Sequence, residues 1–226
     1  MKYKGLILDI DNTLYDYNFA NTLAKKAVVD FCKIKFNIDN ESIINTFNQA
    51  RKKVHIELSE TASSHNRLLY FQKMLEILDL NSLKYSFQLN NLYWDTFLVN
   101  MKPFEGVYEL LNKYKNNICL ATDLTADIQF RKIKKLKLHN YCNSLVTSEE
   151  AGREKPHPYM FMLSLQKLGL KASEVCVVGD SFKKDIFGAR NSQIDAIWIN
   201  HENKQEIYVD TKIKEVNKFN EILKIL

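Results

Sequence analysis

Two carboxylates, Asp9 and Asp11, directly follow the first apolar run of the chain, residues 6–8. Such a run suits a strand that is buried on both faces of a parallel sheet, and an unpaired carboxylate is too costly to bury within it. Both acids are therefore expected at the carboxyl end of the strand, where open α/β sheets bind ligands. Because the acids are two residues apart, their side chains point to the same side of the backbone. Such a pair can attack or hold a metal with one acid and move protons with the other. A polar strand end followed by an Asx turn is an equally good interpretation of these residues alone.

Two later strand-like runs also end in polar residues. Residues 117–123 end in Thr122 and Asp123, and residues 175–180 end in Asp180. In a doubly wound sheet, the carboxyl ends of several strands surround one crevice. Loops predicted on the same side carry two more charged residues, Lys155 and Asp185.

The periodicity of the chain predicts two parts. Residues 15–100 contain no glycine or proline, and their apolar positions recur at helical spacing. We predict four helices there, which form an inserted α-helical bundle. Strands and helices alternate in the remainder, which predicts an α/β core with a doubly wound, Rossmann-like parallel sheet. The predicted boundaries are 1–14 and 101–226 for the core and 15–100 for the insertion.

The predicted core elements are short and alternate regularly. The strands are expected at residues 4–10, 117–123, 144–147, 175–180 and 196–199, with a short strand near Ile213. The helices are expected at residues 104–114, 126–136, 157–168, 184–191 and 217–226.

Composition excludes several classes of protein. The chain has 226 residues, of which 46% are hydrophobic, and a formal net charge of +5. These values describe a globular protein with one large domain or one domain with an insertion. The lysines are scattered and form no basic stripe interleaved with aromatic residues, so nucleic acid is not the expected partner. No apolar stretch approaches the ~20 residues of a membrane helix.

The cysteines and the N-terminus favour a cytoplasmic protein. Cys32, Cys119, Cys142 and Cys176 form no CxxC pair, and we expect them to be reduced, buried thiols. The apolar run near the N-terminus is broken at Asp9, which makes it too short and too acidic for a signal peptide.

Four motifs in order resemble those of the haloacid dehalogenase superfamily. They are Asp9-Ile10-Asp11-Asn12-Thr13-Leu14, then Thr122, then Lys155-Pro156-His157-Pro158, and last Gly179-Asp180-Ser181 with Asp185. The resemblance covers essentially the whole chain. It is closest to the phosphatase branch that has an α-helical cap between the first and second motifs, which implies that residues 15–100 are this cap.

The resemblance implies a catalytic role for each motif. Asp9 is the expected nucleophile, which forms an aspartyl-phosphate, and Asp11 is the expected general acid and then base. Lys155 neutralises the charge that collects around the nucleophile. The implied cofactor is Mg²⁺, held by Asp9, the Asp11 backbone carbonyl and Asp180, with Asp185 at the edge of the site or bound directly. The implied phosphate-binding residues are Asn12, Thr122, Asp123 and Lys155.

Asp11 favours phosphatase over 2-haloacid dehalogenase chemistry. Dehalogenases of this superfamily lack an acid two residues after the nucleophile, because a halide leaves without a proton, whereas a phosphomonoester leaving group needs one. The expected substrate is a small phosphomonoester, such as a sugar phosphate or a nucleoside monophosphate. A phosphomutase and a non-catalytic phosphate-binding protein stay open as alternatives. No membrane partner is expected, and the protein is expected to be a monomer or a homodimer.

Two residues depart from the pattern of this superfamily. Asp123 stands where relatives often have Asn, so its carboxylate must pair or point away from the substrate. Lys184 stands where Asn is frequent before the last acid, Asp185.

Several residues of the insertion are candidates for the substrate entrance. Residues 15–18, Tyr15-Asp16-Tyr17-Asn18, either line this entrance or serve as turn and helix-start residues. His65 and Arg67 open a predicted helix, and Arg67 could clamp a distal anionic group. A solvated surface position is the favoured interpretation for Arg67, and a helix-start position for His157.

Overall fold

A computed structural model describes residues 2–206 and 210–226. The chain forms two compact units, Met1–Asp16 with Lys102–Leu226 and Tyr17–Met101. The first is an α/β unit, here called the core unit, and the second is the helical unit. Among the described residues, no helix has both the length and the apolar character that a membrane span requires.

The core unit contains one six-stranded sheet. Its strands are β1 (Gly5–Leu8), β2 (Ile118–Thr122), β3 (Ser144–Thr147), β4 (Val175–Gly179), β5 (Asp195–Ile199) and β6 (Ile213–Val216). Their order is β3-β2-β1-β4-β5-β6, and all neighbouring strands are parallel. The prediction of a doubly wound parallel sheet is confirmed, including the strand near Ile213.

The topology places β1 beside the point where the chain changes direction across the sheet. The chain runs from β1 through β2 to β3 on one side and then returns to β4 on the other side of β1. Ile7 of β1 lies between Cys119 of β2 and Val177 of β4, and all three side chains are buried. Ligands of open α/β sheets bind at such a switch point, outside the carboxyl ends of the strands. Asp9 directly follows β1 and therefore lies at this position.

The helices of the core unit are mostly short. They are α5 (Val107–Lys113), α6 (Ala126–Lys135), α7 (Ser148–Ala151), α8 (Pro158–Leu168), α9 (Phe187–Asn191) and α10 (Ile222–Ile225), here numbered after the four helices of the helical unit. The expected helix-start position of His157 is confirmed, because its ring accepts a hydrogen bond from Tyr159 N at the start of α8.

Three predicted helices differ from the structure. The helix predicted at 104–114 begins only at Val107, after Gly106 in a left-handed conformation. The helix predicted at 184–191 is instead a π-helical turn, Phe182–Ile186, that leads into α9. The third, predicted at 217–226, begins at Phe219 as a 3₁₀ turn, Phe219–Glu221, followed by α10. Its start is fixed by the Glu221 side chain, which accepts hydrogen bonds from the backbone N–H groups of Asn217 and Lys218.

The helical unit consists of α1 (Tyr17–Phe36), α2 (Asn40–Glu57), α3 (Arg67–Ile77) and α4 (Ser82–Val99). Helix α4 packs against α1 and α3, and α2 packs against α3. Helix α1 buries Ala20, Ala24 and Val28, an i, i+4 series that matches the predicted helical spacing. The expectation of a solvated Arg67 is wrong, because only 9% of this residue is exposed.

Candidate active site

The two acids after β1 occupy separate environments. Asp9 is buried, and its carboxylate accepts hydrogen bonds from Lys155 Nζ at 2.6 Å and from Thr13 Oγ1 at 2.9 Å. Asp11 is half-buried, and both of its carboxylate oxygens lie 2.6 Å from Lys132 Nζ. Each acid therefore has its own buried lysine, and the two can carry different protonation states.

The turn after β1 is fixed by its side chains. Thr13 Oγ1 donates to Asp9 and accepts from the backbone N–H of Asp180 at 3.1 Å. Asn12 has a left-handed backbone with φ of 60°, and its side-chain amide donates to Asp180 Oδ2 at 2.8 Å. This turn thus connects the carboxyl ends of β1 and β4. The phosphate-binding role of Asn12 stays a prediction, and Thr13 had no predicted role.

Lys155 is the buried centre of the acid cluster. Its Nζ lies 2.6 Å from Asp9 Oδ1 and from Asp185 Oδ1, and it also donates to the backbone carbonyl of Ala121. Burial alone would lower the pKa of Lys155, but the charges of Asp185 and Asp9 raise it well above its usual value. Lys155 is therefore a fixed positive charge between two carboxylates.

Three carboxylates converge beside this lysine. One oxygen each of Asp9, Asp180 and Asp185 lies within 4.8 Å of the others. Burial raises the pKa of Asp9 to about 7, because its effect, together with the repulsion of Asp185 and Asp11, exceeds the attraction of Lys155. Burial and the charge of Asp9 raise the pKa of Asp180 to about 6. A divalent cation among these oxygens would remove the repulsion, and carboxylates are the ligands that hard cations prefer. The donor set therefore fits a divalent metal.

Asp11 is held as a charged carboxylate. Burial alone would raise its pKa, but the charge of Lys132 and hydrogen bonds from Lys132, Tyr15 and Gln129 lower it below its usual value. Tyr15 OH donates to Oδ1, and Gln129 Nε2 donates to Oδ2 at 3.2 Å. Tyr15, predicted to begin the insertion, belongs to the core unit and pairs through its backbone with Pro103.

The polar residues at the carboxyl end of β2, Thr122 and Asp123, have different hydrogen-bond partners. Thr122 Oγ1 accepts a hydrogen bond from Gln129 Nε2 at 2.9 Å. Asp123 Oδ1 accepts from the backbone N–H of Lys155 at 3.0 Å, and its Oδ2 accepts from Lys184 Nζ at 2.7 Å. The two residues that depart from the pattern of the superfamily therefore pair with each other.

Gln129 and Lys132 were missed by the sequence reasoning. Both are fully buried on α6, where they lie three residues apart between the apolar residues Ile128 and Ile133. Polar residues on the buried face of an amphipathic helix require buried partners. This face of α6 was the signal that could have identified them.

Comparison with known proteins identifies the family of the chain. Residues 6–199 match the family model described as haloacid dehalogenase-like hydrolase. The chain belongs to this family. The family assignment predicted from the four motifs is confirmed, and so is the prediction that the chain is a hydrolase.

Two curated relatives of this hydrolase are named as phosphatases. It is 34% identical to a ribulose-1,5-bisphosphate 5-phosphatase of Halopiger xanaduensis. The aligned 199 residues cover 85% of this chain and 83% of the relative. It is 27% identical to a glyceraldehyde 3-phosphate phosphatase of Methanothermobacter thermautotrophicus, over 88% of this chain and 86% of the relative. The predicted closeness to phosphatases is thereby confirmed.

A solved structure shares the fold of the whole chain. The HAD-hydrolase YfnB from Bacillus subtilis, in a crystal form bound to magnesium, matches with a TM-score of 0.77. The two chains are 19% identical, and the match covers 100% of this chain and 99% of the other. At this identity the match supports the fold alone.

Proposed function

We propose that this hydrolase cleaves small phosphomonoesters, sugar phosphates in particular, through an aspartyl-phosphate on Asp9. The observation that carries the proposal is the pair of acids after β1, each bound to a different buried lysine. One acid can then attack phosphorus while the other transfers protons. The phosphatases among the relatives support the same reaction class.

Asp9 is the proposed nucleophile. Thr13 and Lys155 fix its carboxylate from two directions, which orients it for in-line attack. Its pKa of about 7 means that part of the population is protonated at neutral pH when no cation is bound. Lys155 and a bound cation both favour the ionised, nucleophilic form.

Mg²⁺ is the proposed cofactor, held by Asp9, Asp180, Asp185 and the backbone carbonyl of Asp11. When bound, this ion supplies positive charge beside the phosphoryl oxygens. Lys155 would stabilise the phosphoryl group beside the metal, and Thr122 and Asp123 would contribute hydroxyl and backbone donors.

Asp11 is the proposed acid and base. Lys132 keeps it ionised at rest, which is the form that activates the hydrolytic water. Protonation of the leaving alkoxide requires a higher pKa at Asp11, and a negatively charged phosphoryl group nearby raises it. This second acid also argues against halide displacement, which needs no proton donor. The phosphomutase and the non-catalytic alternatives differ from a phosphatase only in the fate of the bound phosphoryl group.

The helical unit is the proposed cap, which excludes water while Asp9 reacts. A closed cap limits substrates to small molecules, in agreement with the sugar phosphates named for the relatives. Four free, buried cysteines support the proposed cytoplasmic location.

Phosphate release from a panel of sugar phosphates and nucleoside monophosphates tests the proposal. The assay compares the native chain, Asp9→Asn and a control, Asp79→Asn, whose carboxylate is exposed in the helical unit. We expect Mg²⁺-dependent turnover that is lost in Asp9→Asn and kept in the control.

Three other outcomes would reject the proposal. Halide release from a 2-haloacid would indicate a dehalogenase, and phosphoryl transfer to a second sugar would indicate a mutase. Phosphate binding without turnover of any ester would indicate a binding protein.

A further inference from the structure

One buried amide contacts both the Asp11 carboxylate and the Thr122 hydroxyl. Gln129 lies on α6 in the core unit, and none of its surface is exposed. Its Nε2 atom lies 2.7 Å from the backbone carbonyl of Asp123, 2.9 Å from Thr122 Oγ1 and 3.2 Å from Asp11 Oδ2. The side chain therefore connects the end of β2 to the second acid after β1.

The acceptors around Gln129 determine which way its amide points. A carbonyl and an ionised carboxylate only accept hydrogen bonds, so the NH₂ group must face Asp123 and Asp11. The reversed amide would place Oε1 against both oxygens. In the observed orientation Oε1 is buried and has no hydrogen-bond partner among the described residues. An unsatisfied buried acceptor is unfavourable, so a glutamine at this position requires a reason other than packing.

The amide makes the Thr122 hydroxyl a donor toward other groups. Because Oγ1 accepts a hydrogen bond from Gln129, its own proton points elsewhere. The contact of this hydroxyl with the Asp123 carbonyl is 3.3 Å, which is long for an O–H···O bond. That carbonyl already accepts a hydrogen bond from Gln129 at 2.7 Å. The proton is therefore available to a stronger acceptor, such as an anionic phosphoryl oxygen.

We propose that Gln129 is a positioning residue, which fixes the Thr122 hydroxyl as a donor to a phosphoryl oxygen. Asp123 and Asp11 hold the amide, and the amide holds the hydroxyl. Gln129 acts through Thr122 and not on the substrate itself. The inference rests on the proposed function, in which Thr122 contributes a hydroxyl to the phosphoryl site. A donor that is already oriented needs no rearrangement when negative charge develops on that oxygen.

Matched variants separate this role from a structural one. Gln129→Met keeps the length of the side chain but removes the amide, and Thr122→Val removes the hydroxyl at nearly constant volume. The variant with both changes completes a double-mutant cycle. Gln166→Met, at an exposed position of α8, is the control. Circular dichroism and urea unfolding show whether each variant is folded. Gln129→Asn, which keeps an amide but is shorter by one methylene group, provides the test if Gln129→Met does not fold.

Titration calorimetry with inorganic phosphate, in the presence of Mg²⁺, tests the donor without turnover. We expect Gln129→Met and Thr122→Val each to raise the Kd for phosphate about tenfold, as the loss of a hydrogen bond to a charged group does. The double variant should bind no more weakly than Thr122→Val, because Gln129 has no route to phosphate once the hydroxyl is absent. Gln166→Met should bind phosphate like the native chain.

Two substrates separate an effect through Thr122 from an effect through Asp11. The leaving group of p-nitrophenyl phosphate departs without a proton, whereas the alkoxide of a sugar phosphate needs one. Gln129→Met should therefore lower kcat/KM for both substrates by the same factor, about tenfold. A fall confined to the sugar phosphate would mean that Gln129 serves Asp11 and would overturn the inference.

The inference and the proposed function can fail separately. If the phosphate cycle is non-additive but the native chain hydrolyses no ester, the coupling of Gln129 to Thr122 stands and the proposed function fails. If the native chain is a phosphatase but Gln129→Met or Thr122→Val binds phosphate with native affinity, the inference alone fails. Additive losses in the double variant would also overturn it, since Gln129 would then act by another route. A native chain that binds no phosphate would overturn it as well.

Discussion

The Nζ atom of Lys132 lies 2.6 Å from both carboxylate oxygens of Asp11. Lys132 is fully buried, so this ion pair is poorly screened by solvent. The pair keeps the pKa of Asp11 below its usual value, although burial alone would raise it. Lys132 therefore controls the pH range in which Asp11 is ionised and available for its proposed role as a base.

Substitution of Lys132 by Met should move the pH dependence of catalysis. Without the lysine, burial dominates and the pKa of Asp11 rises, so the base form needs a higher pH. Where hydrolysis of the aspartyl-phosphate limits turnover, we expect the acidic limb of the kcat profile to move upward by about one pH unit or more. The profile of phosphate release between pH 4 and 9 measures this shift.

Lys132→Met should also lower the stability of the folded chain. A lowered folded-state pKa contributes stability that is present above the unfolded value and lost as the pH falls through the folded value. Lys132→Met removes this contribution, so we expect a lower urea midpoint at pH 7. Lys134→Met, which removes an exposed lysine from the same helix, is the control. A pH profile that coincides with that of the native chain would show that Lys132 does not control Asp11.

Asp123 and Lys184 should be energetically coupled. Their side chains meet at 2.7 Å, and Asp123 also accepts a hydrogen bond from the backbone of Lys155. Each single substitution, Asp123→Asn or Lys184→Asn, leaves a partly buried charge without its main partner. We expect the double variant to be more stable than the sum of the single effects predicts, by on the order of 1 kcal/mol. A double-mutant cycle in urea measures this coupling.

An exposed ion pair provides the reference for this cycle. Lys4 and Glu174 meet at 2.6 Å on the surface, where the expected coupling is about 0.5 kcal/mol or less. Equal coupling in both cycles would mean that the Asp123–Lys184 pair is an ordinary surface contact.

The strands and the acids were predictable from the sequence because local patterns determine them. Apolar runs such as residues 6–8 give buried strands, and the carboxylates that follow must lie at their ends. The requirement that Asp123 pair or point away was also local, since a free carboxylate would repel phosphate. Its partner, Lys184, is 61 residues away, and no periodicity indicates such a contact.

Lys132 and Arg67 show where sequence reasoning reaches its limit. Both residue types are usually exposed, so a surface position was the reasonable expectation for Arg67. Lys132 is buried because Asp11 offers it a counterion, and Arg67 is buried among aromatic rings. These partners come from other elements, and only the assembled structure brings them together.

Gly179 should not tolerate a side chain, because Asp185 fills the space beside it. A Cβ atom at Gly179 would lie 2.3 Å from Asp185 Cγ. Asp185 is buried and held by Lys155 and by the backbone N–H of Ser181, so it cannot move aside freely. We expect Gly179→Ala to lower the free energy of unfolding by about 1–3 kcal/mol, as overpacked sites do.

The same substitution tests whether the position of Asp185 matters for the proposed metal. A displaced Asp185 should raise the Mg²⁺ concentration needed for half-maximal activity, beyond the loss of stability. Gly152→Asn is the control, because Gly152 has a left-handed backbone that Asn tolerates and no atoms within 4 Å of an added Cβ. The free energy of unfolding of this control should lie within about 0.5 kcal/mol of the native value. If Gly179→Ala loses stability but keeps the native Mg²⁺ dependence, Asp185 packs the loop after β4 and does not hold the ion.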